Sequence, residues 1–126
     1  MIGKVAIVDD DSIFQFTTKI KIEKGKLATE VLFFNDGEEI INYISNTPPN
    51  QLPELILLDI NMPIIDGWDF INFYKEVPKA KRDKIKIFMI SSSINPDDVR
   101  RAEESPFISD YITKPIKDKD LSKIFS

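Results

Sequence analysis

The sequence predicts an α/β fold in which a five-stranded parallel sheet carries helices on both faces. Two observations carry this. Five strand-length segments, at residues 5–8, 30–34, 55–59, 85–90 and 109–113, alternate with stretches of helical periodicity. The clearest of them, Val5-Ala6-Ile7-Val8 and Leu55-Ile56-Leu57-Leu58, are continuously apolar, as strands buried on both faces require.

Each helical stretch has its own start or stop signal. Residues 12 to about 24 read as a helix with Ile13, Phe16, Thr17 and Ile20 on one face, ended by Gly25. Asp36 is placed to cap the next helix, with Glu39 three residues on and Ile40, Ile41 and Ile44 as its apolar stripe. Pro48, Pro49 and Pro53 mark a loop. Asp66-Gly67 opens a third helix carrying Phe70, Phe73, Tyr74 and Val77, stopped by Pro78. Asn95-Pro96-Asp97-Asp98 is a fourth helix start, with a cap, a first-turn proline and acids that suit the dipole. That helix has few apolar anchors beyond Val99 and Ala102. Leu121, Ile124 and Phe125 mark a short last helix.

Composition narrows the chemistry. The chain has 126 residues, 42% of them hydrophobic, enough for one domain (residues 1–126) with a real core. A net charge of −4 argues against a nucleic-acid binder working through a basic face. Absence of cysteine excludes disulfides and thiolate chemistry and fits a cytoplasmic protein. Absence of histidine removes Ser-His-Asp catalysis and any phosphohistidine on this chain. No apolar run reaches the roughly 18 residues a membrane span needs, and no signal-peptide pattern opens the sequence.

In a parallel sheet all strand C-termini share one edge, where open α/β sheets bind ligands. Here the strands end in Asp9-Asp10-Asp11, Asn35-Asp36, Asp59, Ser91-Ser92-Ser93 and Lys114-Pro115. Acids from two strand ends suit Mg²⁺, which takes oxygen ligands and keeps several waters. A cation also offsets the mutual repulsion of crowded carboxylates. Asp59, directly behind four aliphatic residues, is the candidate nucleophile toward phosphorus. Lys114 and a serine hydroxyl are candidates to hold the transferred group. Singly these signals are weak: such acids are usually caps or solvated, and Lys-Pro is usually a turn. Their ordered convergence is specific.

Val8-Asp9-Asp10, Leu57-Leu58-Asp59-Ile60-Asn61-Met62-Pro63 with Asp66-Gly67, Ile90-Ser91-Ser92 and Tyr111-Ile112-Thr113-Lys114-Pro115 together resemble the receiver domain of two-component response regulators. The likeness runs from Lys4 to Ile124. It implies the flavodoxin-like, doubly wound strand order 2-1-3-4-5. It also implies Asp59 as phosphoacceptor and metal ligand, Asp9 and Asp10 as the acidic pair for Mg²⁺, and Asn61 as a further ligand through its backbone carbonyl. Ser91 would be the hydroxyl that responds to phosphorylation, where the family more often has Thr. Lys114 would be the lysine paired with the phosphoryl group and Tyr111 the aromatic switch. The Lys114-Pro115 bond is expected to be cis. Asp11 is expected to cap the first helix.

The implied partners are a histidine kinase or phosphotransfer protein as donor and a downstream protein bound by the fourth helix, last strand and last helix. No nucleic acid or membrane partner and no enzyme activity of its own are expected. If this is the full protein, signalling is expected to pass through protein contact or onward phosphotransfer. Three other readings compete. A receiver that signals without phosphorylation is disfavoured because all five site positions carry competent residues. A haloacid-dehalogenase-type phosphatase would make Asp9 the nucleophile through Asp9-x-Asp11 and leave Asp59 unexplained. A flavin module would need glycine or hydroxyls where the first loop is acidic.

Overall fold

A computed structural model describes residues 2–126. Five parallel strands, β1 (Ile2–Val8), β2 (Ala28–Phe34), β3 (Leu55–Asp59), β4 (Lys86–Ser91) and β5 (Asp110–Thr113), form one sheet in the order β2-β1-β3-β4-β5. The helices are α1 (Ser12–Lys24), α2 (Gly37–Asn46), α3 (Gly67–Tyr74), α4 (Lys79–Arg82), α5 (Pro96–Glu104) and α6 (Asp118–Ile124). The fold class and strand order are therefore those expected. The short α4, a single turn after Pro78, had no periodic signal, and it makes the helix starting at Asn95 the fifth.

Side-chain alternation along the strands divides the core. Ala6, Val8, Ile56, Leu58, Ile87 and Met89 pack with Ile40 and Ile44 of α2, Phe70 and Tyr74 of α3 and Ala102 of α5. Their neighbours Val5, Ile7, Leu55, Leu57, Phe88 and Ile90 pack with Phe14 and Ile22 of α1 and Leu121 and Ile124 of α6. The period of two on a sheet covered on both faces explains why β3 is buried at every position.

One expected face is reversed. Helix α1 buries Phe14, Thr18 and Ile22, and turns Ile13, Phe16 and Ile20 outward at 73%, 63% and 37% exposure. Both sets satisfy helical spacing. Counting apolar residues favours the wrong one, because the expected face carries three apolar residues beside Thr17 and the true core face only two beside Thr18. Gly25 does end α1, as its C-cap, but with an ordinary φ of −81°; the left-handed residue is Lys26, with φ 52°.

The caps hold as read, with one change. Asp36 Oδ1 accepts from the Glu39 N–H at 2.9 Å, but Glu39 reaches back to the Asn35 N–H at 2.9 Å, one residue earlier than a capping box requires. Asp66 and Asp69 form the full reciprocal box at the start of α3.

Gly67 sets the distance between α3 and the sheet. Its N–H donates to the Ile60 carbonyl at 2.9 Å. A Cβ there would lie 2.9 Å from both the Asp59 carbonyl oxygen and Ile60 Cα, which are backbone and cannot swing aside. Gly67→Ala is therefore expected to destabilise the protein by about 1–3 kcal/mol through overpacking. Urea unfolding checks this, and an unchanged midpoint would show that the loop gives way freely.

Candidate functional site

The site lies at the C-terminal edge of the sheet, where β1, β3, β4 and β5 end. Asp9 follows β1, and its N–H donates to the Phe34 carbonyl at 3.0 Å, which ties the loop to neighbouring β2. Asp59 is the last residue of β3, and Ile60 just after it donates to the Ile90 carbonyl of β4 at 3.1 Å. Lys114 follows β5 and donates its N–H to the Ser91 carbonyl at 2.7 Å. The ladder thus carries each functional residue to the edge in fixed register.

Carboxylate oxygens of Asp9, Asp10 and Asp59 all lie within 4.8 Å of one another. Asp9 and Asp59 are 1% and 4% exposed, whereas Asp10 is open to solvent. Lys114 Nζ stands 2.7 Å from Asp9 Oδ2 and 3.8 Å from Asp59 Oδ2. The contact with Asp9 is a close ion pair whose angles are not those of a hydrogen bond, so Asp9 Oδ2 is a buried oxygen with no aligned donor. Asp9 Oδ1 accepts from the Asp11 N–H at 2.8 Å. The Asn61 N–H turns back to Asp59 Oδ1 at 3.3 Å.

The electrostatics follow from burial. Loss of hydration pushes the Asp59 carboxyl up to about 6; the Asp9 charge adds to the rise, and Lys114 and the Asn61 N–H oppose it. Loss of hydration likewise raises Asp9, against Lys114 and the Asp11 N–H. Of the three clustered carboxylates, Asp9 and Asp59 share the Lys114 ammonium. A hard divalent cation fits this donor set: all ligands are oxygens, one is buried without an aligned donor, and an exposed member gives an open side.

Ser91 and Tyr111 lie beside the cluster. Ser91 is buried, and its Oγ accepts from the Ser93 N–H at 3.2 Å. The half-buried Tyr111 donates its hydroxyl to the Ser93 carbonyl at 2.8 Å. One loop therefore contacts both residues. A cavity of about 420 Å³ lies between α5 and β5, lined by Ile94, Val99, Ala102, Ile108 and Tyr111 among others. The Lys114-Pro115 bond is cis, as expected.

Asp11 stands apart from the cluster. Its Oδ1 accepts from the Ile13 and Phe14 N–H groups at 2.9 and 3.2 Å, capping α1. An Asp9-x-Asp11 phosphatase motif would need that carboxylate in the site, so this contact disfavours it. Two features escaped sequence reasoning. Phe14 lies under Lys114, its ring centroid 4.5 Å from Nζ. Trp68, next to Gly67, donates its indole N–H to Asp98 at 3.0 Å and stacks under Arg101 at 4.1 Å, fastening the sparsely anchored α5 to α3. Both join segments far apart in sequence, where local patterning is silent.

A parallel 2-1-3-4-5 sheet with three clustered acids and a lysine at its C-terminal edge is a doubly wound α/β domain with a charged site at its strand ends. Residues 5–126 match the family described as response regulator receiver domain, and the chain belongs to it. A response regulator structure from Cytophaga hutchinsonii superposes with TM-score 0.92 at 30% identity, covering 98% of this chain and 94% of that one. A receiver protein structure from Dyadobacter fermentans gives 0.85 at 33%, covering 96% and 93%. The response regulator Rcp1 of Synechocystis sp. is 28% identical over 95% of this chain and 82% of its own length. The module also occurs inside longer proteins: the chain covers only 14% of the sensor histidine kinase CheAY of Helicobacter pylori, at 29% identity.

Burial of Asp59 has a signed consequence for stability. The folded state holds its proton more tightly than the unfolded chain, so stability falls as pH rises from the ordinary 3.8 to about 6. Above that the ionised group is a constant cost. In metal-free buffer at pH 7.5, Asp59→Asn is expected to stabilise the protein by on the order of 1–3 kcal/mol, with the gain shrinking toward pH 4. Thermal unfolding across that range checks it; a destabilised variant at neutral pH would contradict it.

Proposed function

We propose that this receiver domain accepts a phosphoryl group on Asp59 from a phosphohistidine on a partner histidine kinase or phosphotransfer protein. The observation that carries the reading is the buried Asp9–Asp59 pair spanned by Lys114, with Asp10 open to solvent beside it. The absence of histidine in this chain fits a donor residue supplied by another protein.

In the proposed step an ionised Asp59 oxygen attacks phosphorus in line, forming an acyl phosphate as the P–N bond to the donor imidazole breaks. Asp9 and Asp10 would hold Mg²⁺, with the Asn61 backbone carbonyl as a further ligand. The ion would supply positive charge to the carboxylates and to the phosphoryl oxygens. Lys114, which pairs with Asp9 here, would turn its ammonium to the phosphoryl group. An attacking Asp59 must be ionised, and its carboxyl sits at about 6, so the reaction requires near-neutral or higher pH unless cation binding lowers that value.

The switch runs through Ser91 and Tyr111. Ser91 exchanges its contact with the Ser93 N–H for the phosphoryl group. That loosens the loop whose Ser93 carbonyl holds the Tyr111 hydroxyl, and the ring is free to turn toward the cavity beside α5. The face formed by α5, β5 and α6 then changes for a downstream protein, as a shift between two populated states. Helix α5 buries only Ala102, which suits an element that moves. In this reading the chain is a cytoplasmic signalling protein that acts as a phosphoryl acceptor and not as an enzyme, with no nucleic acid or membrane partner. Among the described residues no helix is long and apolar enough to cross a membrane.

Incubation with acetyl phosphate and Mg²⁺ should add one phosphoryl group, mapped to Asp59 after borohydride trapping. Asp59→Ala should abolish the mass gain. Labelling that persists in the variant sinks the assignment; a wild-type protein that never labels favours a receiver that signals without phosphorylation. Lys114→Ala is expected to slow labelling by about 10²-fold or more, since it removes the cation that pairs with Asp9 and Asp59. Rates from intact mass spectrometry test this, and an unchanged rate would remove Lys114 from the mechanism.

A further inference from the structure

Lys114 has a seat as well as partners. Its ammonium stands over the Phe14 ring, 4.5 Å from the centroid, while reaching Asp9 on one side and Asp59 on the other. Phe14 is itself fixed. It is 8% exposed, packs with Ile7 and Leu57 in the core under α1, and donates its backbone N–H to the cap Asp11. Seven residues further along the same helix, Lys21 Nζ donates to the Ile116 carbonyl at 2.6 Å, holding the chain just beyond Lys114-Pro115. Helix α1 therefore grips this loop at two points.

A lysine ammonium on a flexible stem has no intrinsic position. In the metal-free protein the acids hold it. Once Asp9 is engaged with a cation, that attraction is weakened, and solvent competes for the charge. An aromatic face attracts an ammonium without accepting a conventional hydrogen bond. It can keep Nζ in place while leaving N–H donors free for other oxygens. An aliphatic residue of similar size would fill the same volume and offer no such attraction.

We propose that Phe14 is a positioning residue for Lys114: its ring face seats the ammonium between Asp9 and Asp59 and leaves its donors for the phosphoryl oxygens. The proposal rests on the phosphoryl-acceptor reading above. It concerns a contact in the metal-free protein as well as the loaded site, so the two can fail separately.

The test replaces Phe14 with leucine, with tyrosine, and with 3,4,5-trifluorophenylalanine, which keeps the shape but weakens the negative ring face. In the metal-free wild type, ring current should shift the Lys114 ε-methylene protons upfield by NMR, and F14L should remove that shift. With Mg²⁺ present, F14L and the fluorinated ring should weaken beryllofluoride binding by about three- to tenfold, with Mg²⁺ affinity itself changed less than about twofold. F14Y should restore beryllofluoride binding. Equal losses in F14Y and F14L, or full affinity with the fluorinated ring, would reduce Phe14 to packing and overturn the proposal. The fluorinated ring decides the matter if F14L fails to fold. An absent upfield shift overturns the seat even if phosphorylation occurs. If the wild type shows the shift but binds no beryllofluoride, the acceptor reading falls and the proposal for the phosphoryl group falls with it.

Discussion

Two carboxylates, Asp9 and Asp59, are held out of water within reach of one lysine, and the site depends on that arrangement. Ionised groups in such a place lose hydration and repel each other, and a single ammonium offsets only part of that. Strand geometry keeps them there: parallel pairing delivers the ends of β1, β3 and β5 to the same edge, and the core beneath provides the stability to hold a strained charge pattern. The ionised pair is therefore costly to hold, and added positive charge would relieve that cost.

Local structure around the acids converts that electrostatic cost into position. Asp11 caps α1 and so fixes Phe14; Gly67 lets α3 lie directly on the Asp59 backbone; Lys114 is tied through its N–H to Ser91. Ser91 and Tyr111 meet at Ser93. Trp68, one residue beyond Gly67, holds α5 through Asp98 and Arg101. Helix α5 is thus held more by polar and cation–π contacts than by buried apolar area.

Much of this was legible in the sequence. Continuous apolar runs with an acid at the end mark strands buried on both faces, so β1, β3 and their terminal residues were readable, and topology then brought Asp9, Asp10, Asp59, Ser91 and Lys114 to one edge. Asp11 as a cap was readable from its place before a helix. The core face of α1 was not, because Ile13, Phe16 and Ile20 form a more apolar stripe than Phe14, Thr18 and Ile22, and tertiary packing chose the latter. The Lys114–Phe14 and Trp68–Asp98–Arg101 contacts were invisible for a different reason. Each joins elements whose separation in sequence carries no periodic signal.

The central claim is that Asp59 sits in the folded protein as an energetically costly carboxylate that nearby positive charge relieves. Carbon-13 NMR of the Asp59 carboxyl measures this directly, as a pH titration of the metal-free protein and again with saturating Mg²⁺. The account predicts a metal-free midpoint near 6, well above the ordinary 3.8, and a lower midpoint with the cation present. A metal-free midpoint at the ordinary value, or one that Mg²⁺ leaves unmoved, would contradict it.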